Sequence, residues 1–197
     1  MITTVACAAA GLTVFAAPVS AQAIATPDKL SDAQMDELYC VYDRLSDDNN
    51  ARVVVAHTVT GSDEYAQEAA KIEAAAKAAC VATYKWSSEQ AGVAASLGVW
   101  GLVADTMEDE LLNRSLREET IDRIFEIAGA IAQADVDKLV KEHGDSAEEV
   151  IIARLKTKLV EGGLPKDDET LSLALVLLES SSNETNAAYE WVEKKLY

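Results

Sequence analysis

From residue 90 to residue 104 the chain carries no charged side chain. In a protein with 34 acidic and 17 basic residues and a net charge of −17, such a stretch has no polar face to give to solvent. It must be enclosed by the rest of the chain or by lipid, and its length decides between them. A helix that crosses a bilayer takes about 20 apolar residues, and the stretch between Glu89 and Asp105 is shorter. Gly92, Gly98 and Gly101 add room for neighbouring backbones to approach. The expectation is a central buried helix with Trp100 largely covered, and no stable membrane insertion.

Around it, apolar positions recur at the helical period along nearly the whole chain, while strict alternation of apolar and polar residues is scarce. Ser31-Asp32-Ala33-Gln34 has the form of a capping box and opens a helix with Met35, Leu38, Tyr42 and Leu45 on one face. Asp47-Asp48-Asn49-Asn50 breaks it. Residues 52–60 are rich in β-branched side chains, which favour a strand, but a lone strand has no partner here. A short helix ended by Gly61 is expected instead. Ser62 or Asp63 caps a longer helix along Tyr65, Ala69, Ile72, Ala76, Ala79, Thr83 and Trp86, with Cys80 at its flank.

Three further boxes open at Ser87, Ser115 and Ser146. The helix after Ser115 turns Ile121, Ile124, Phe125, Ala128 and Ile131 inward and runs toward His143, where Gly144 stops it. The one after Ser146 buries Ile151, Leu155 and Leu159 and ends at Gly162-Gly163. Asp167 caps an apolar segment over residues 171–178, and Asn183 caps a last helix with Tyr189, Val192 and Leu196. The sum is an all-α fold: a single globular array of seven or eight helices over residues 24–197, with one central buried apolar helix. No fixed-period repeat and no dividing linker is visible.

The start of the chain reads differently. From Val5 to Val19 it is apolar and small, and Ser20-Ala21-Gln22-Ala23 fits the small-x-small requirement of a signal peptidase at Ala21 and Ala23. Residues 1–23 are therefore expected to be a signal peptide cleaved after Ala23, although no Lys or Arg opens it. That places the protein in the periplasm or outside the cell. Cleavage removes Cys7 and leaves Cys40 and Cys80 in an oxidising compartment, where an even count reads as one disulfide. On a single helical wheel Cys40 falls opposite Leu38, among Asp36, Glu37, Asp43 and Arg44, so the bridge must form away from the main apolar stripe.

Charge bounds the function. An acidic field of this size repels phosphate backbones, which excludes nucleic acid, and it attracts cationic partners such as a basic protein. The two histidines, His57 and His143, stand in neither the H-E-x-x-H nor the E-x-x-H spacing of metal sites. His143 reads as a cation at a helix C-terminus and His57 as an ordinary satisfied side chain. Neither G-x-S-x-G nor S-x-x-K occurs, no free thiol remains, and no glycine-rich phosphate loop is present. No catalytic, cofactor-binding or metal residue is assigned, and no cofactor.

Two acidic groups, Asp105 with Glu108 and Asp109, and the Asp47–Asn50 loop, crowd oxygen ligands. Without the glycine and distal glutamate of an EF-hand loop they read as solvated surface. Trp86, Trp100 and Trp191 with Tyr39, Tyr42, Tyr84 and Tyr189 could line a groove, but aromatic residues at helical spacing are more often core. The leading expectation is a non-enzymatic, exported binding or adaptor module acting through an acidic helical surface. Within that class it could be an inhibitor or immunity protein that masks a basic cell-wall-degrading enzyme. A different class is an enzyme whose dispersed carboxylates converge as acid and base.

Overall fold

The computed structural model describes residues 30–131 and 133–197. The expected signal peptide, with Ala21 and Ala23, lies outside the described residues. Within them the fold is all-α, without a strand. Nine α-helices follow one another: α1 (Asp32–Leu38), α2 (Cys40–Ser46), α3 (Ala51–Thr60), α4 (Asp63–Tyr84), α5 (Ser88–Asn113), α6 (Glu118–Gly129), α7 (Gln133–His143), α8 (Ala147–Glu161) and α9 (Asp168–Glu193). They gather into two compact units, one holding residues 30–105 with Ser180–Tyr197, the other Thr106–Glu179. The long helices α5 and α9 each run on from one unit into the other, so the boundary falls inside continuous helices rather than at a linker.

In the first unit the expected opening helix is two helices. The capping box at Ser31 forms as anticipated, but the helix is interrupted at Tyr39 (φ −86, ψ 0), whose N–H bonds back to Met35 and Glu37. The interruption resets the helical phase. Leu38 and Cys40, on opposite sides of an unbroken wheel, are both buried, together with Val41 and Leu45. Cys40 is thereby joined to Cys80 of α4, with their Cα atoms 6.0 Å apart. The β-branched run is helical, as α3, because Val54 and Val55 are buried where α3 packs along α4; packing overrides strand propensity. The Thr58 and Thr60 hydroxyls donate to the carbonyls of Val54 and Ala56, four residues back, and Gly61 closes the helix at φ 61.

The first turn of α5 is held by the second box, in which the Gln90 N–H reaches Ser87 Oγ and the Ser87 N–H reaches Gln90 Oε1. Ala91, Val93, Ala94, Leu97, Leu102, Val103 and Ala104 are buried, as the charge-free stretch requires. One narrow stripe is not covered. Gly92 and Ser96 are exposed and Trp100, four residues further, is half-buried rather than enclosed. Around Gly98 the packing is close: a Cβ there would lie 2.7 Å from the Tyr42 backbone nitrogen and 2.9 Å from Val41 Cγ1.

In the second unit the box at Ser115 does not form. Ser115 adopts φ 67 and ends α5 instead, its N–H bonding to Leu112 at 2.8 Å while the Leu116 N–H bonds to Leu111 at 3.3 Å. This is a left-handed helix stop, so α6 begins three residues later with Arg117 as an uncapped start. Ile121 and Ile124 are buried, but Phe125, expected inward, is 39% exposed. α6 ends at Gly129, a poor helix former, and the helix toward His143 restarts as α7.

A short 3-10 turn, Gly144–Ser146, leads into α8, and Ser146 makes no capping bond from it. Leu155 and Leu159 are buried and Ile151 is half-buried. Asp167 caps α9 by accepting the Thr170 N–H at 2.8 Å. Asn183 caps nothing, because it lies inside α9. The buried line Ala174, Leu177, Ser180, Ala187, Ala188 and Trp191 keeps helical spacing through that point, which merges two expected helices into one. Among the described residues no helix is long and apolar enough to cross a membrane.

Candidate functional site

The break at Tyr39 places two tyrosines side by side in the first unit. The rings of Tyr39 and Tyr42 meet edge to face, with centroids 6.1 Å apart and planes at 83°. Each phenol is paired with a carboxylate from a different helix. The Tyr39 hydroxyl donates to Glu184 Oε1 of α9 at 3.3 Å, and the Tyr42 hydroxyl donates to Asp105 Oδ2 of α5. Gly101 makes the arrangement possible, since a Cβ there would stand 3.1 Å from Tyr42 Cδ2 and 3.3 Å from Glu184 Oε1.

Burial pushes the Tyr39 phenol up to about 12, and the charge and hydrogen bond of Glu184 add to it. Tyr42 is raised as well, first by burial and then by its bond to Asp105. Burial also raises the Glu184 carboxyl, with the Asp105 charge adding and the Tyr39 hydrogen bond opposing. Both phenols are therefore held as donors, and neither is a ready acid or base at neutral pH. Among the described residues neither Asp105 nor Glu184 takes part in a salt bridge. Among the described residues the cluster is two tyrosine rings and two carboxylates with no cation in a salt bridge to them. That combination attracts an ammonium or guanidinium group by charge and by the ring faces.

No known family, curated protein or solved structure matches the chain.

The remaining candidates fall elsewhere. Trp86 and Trp191 are buried and meet edge to face at 5.8 Å, Tyr84 stacks on Trp86 at 5.6 Å, and Trp86 Nε1 donates to Glu37 Oε1 at 2.7 Å. The two tryptophans are core and Tyr84 is half-buried against them, so the seven aromatics do not line one groove. The His57 ring lies 3.1 Å from the Ser62 carbonyl through Nδ1, and His143 is the last residue of α7. Asp105 is turned to Tyr42, while Asp48 accepts the Asn50 N–H within its own loop. Among the described residues no three His, Cys, Asp or Glu side chains converge as metal ligands. In the second unit, Lys156, Val160, Lys166, Asp168 and Leu171 line an open groove of about 320 Å³ between α8 and the start of α9.

The sequence contains all four members of the tyrosine–carboxylate cluster but not their union. Tyr39 and Glu184 are 145 residues apart, and Tyr42 and Asp105 are 63. The one local signal is the pairing of two tyrosines three residues apart with a glycine on the charge-free helix.

Proposed function

We propose that the chain is an exported, non-enzymatic binding module for a basic protein, which seats a lysine or arginine side chain of that partner against Tyr39, Tyr42, Asp105 and Glu184. The observation that carries this reading is the pair of carboxylates, backed by two perpendicular tyrosine rings, with no cation of the described chain in contact. The charge of −17 supports it, because a field of that sign raises the rate at which a basic partner arrives. The alternative is an enzyme working through dispersed carboxylates, which needs one of them open to exchange a proton with substrate; at this cluster Asp105 and Glu184 each accept a hydrogen bond from a phenol.

Calorimetry of residues 24–197 against a basic cell-wall-degrading enzyme tests the reading, since masking such an enzyme is one form of this function. The Asp105→Asn, Glu184→Gln pair should weaken binding by about tenfold or more, the loss of one desolvated charge contact. Unchanged affinity in that variant removes the site. Failure of the wild-type chain to bind any basic protein tried removes the function.

A further inference from the structure

In the second unit, α6 shows a face that the cluster does not use. On a helix with 100° per residue, Glu118, Asp122, Phe125 and Gly129 fall within about one quarter of the circumference, and Glu126 borders them. Glu118, Asp122, Glu126 and Gly129 are exposed, and Phe125 is 39% exposed at the edge of the buried stripe of Ile121 and Ile124. Among the described residues nothing lies within 4 Å of where a Cβ on Gly129 would stand. None of the three carboxylates is in a salt bridge among the described residues. The one basic residue of α6, Arg123, donates to the Gly162 carbonyl at 3.3 Å, on the far side of the helix from Phe125.

We infer that this face of α6 docks a cationic amphipathic segment of the partner: an apolar side chain of that segment covers Phe125 and the bare shelf at Gly129, and its Lys or Arg residues meet Glu118, Asp122 and Glu126. The inference rests on the reading of a basic partner and gives that partner a second, apolar requirement. Charge complementarity selects the occupant. An apolar surface alone would accept any hydrophobic segment, but an aromatic ring rimmed by three unpaired carboxylates disfavours acidic or neutral ones and rewards a segment that alternates apolar and basic residues. A lysine stem lying along the ring adds a cation–π contact.

The test uses two synthetic peptides of equal length and charge, one of Leu and Lys with helical amphipathic spacing, the other with every Leu replaced by Ser. Residues 24–197 should bind the Leu/Lys peptide at least about tenfold more tightly than the Ser/Lys peptide, and Phe125→Ser should abolish that preference by weakening the Leu/Lys complex. The chemical shifts of α6 amides should move with the Leu/Lys peptide alone. Equal affinity for the two peptides, or a preference that survives Phe125→Ser, overturns the docking face while leaving the basic-partner reading intact. Absence of binding to either peptide, together with absence of binding to basic proteins, fails both.

Discussion

Glu184 is the residue on which the site and the stability of the fold pull in different directions. Burial raises its carboxyl above the ordinary range, so the folded chain holds that proton more tightly than the unfolded chain does. The stabilising contribution of such a group is complete below the unfolded value and is lost as pH rises through the folded one. At neutral pH an ionised Glu184 thus costs stability, and its neighbour Asp105 increases the cost. Glu184→Gln keeps an acceptor for the Tyr39 hydroxyl and removes the charge. Its midpoint of thermal unfolding should lie above wild type at pH 7, and the two curves should converge below about pH 4, where the wild-type carboxyl is neutral in both states. A variant that is more stable at pH 7 yet binds a basic partner less well would mark Glu184 as held for function rather than for folding.

At the scale of elements, α5 comes close to the backbone of α2 at Gly98. A leucine there would have to displace backbone at Val41 and Tyr42, not the end of a flexible side chain, so Gly98→Leu should destabilise by about 1–3 kcal/mol or more. Urea unfolding checks it, and a midpoint equal to wild type would mean that α2 is free to move away. The disulfide between α2 and α4 closes a loop of separation 40, which contributes about 4 kcal/mol on the chain-entropy estimate. Much of this was legible in the sequence. The boxes at Ser31 and Ser87, the Gly61 stop, the helical fate of the run after Ala51 and the buried character of α5 follow from local rules. What was not legible depends on choices made by packing. Ser115 has the form of a box but is spent in stopping α5, Asn183 has the form of a cap but lies on an unbroken buried line, and the phase reset at Tyr39 is what lets Leu38 and Cys40 share the core. The candidate site was illegible for the same reason, because it joins α1–α2, α5 and α9 across long separations.

For the molecule as a whole, we propose an exported acidic protein whose carboxylates at the tyrosine cluster and on α6 meet a basic partner. Export is checked by the intact mass of the secreted chain, which should begin at Ile24; a mass that includes residues 1–23 would contradict it. The two surfaces argued above lie in different compact units, the tyrosine–carboxylate cluster in one and the α6 face in the other. A partner that engages both gains from linked contacts, and one that engages a single unit does not. Underlying either mode is the charge of the chain, which the account makes the cause of encounter rather than a by-product of solubility. The most direct measurement is the association rate constant of residues 24–197 with a basic cell-wall-degrading enzyme as a function of ionic strength. The rate should fall by about tenfold or more between 20 and 200 mM salt, while the dissociation rate changes far less. An association rate that is independent of salt, or no association at 20 mM, would contradict the account.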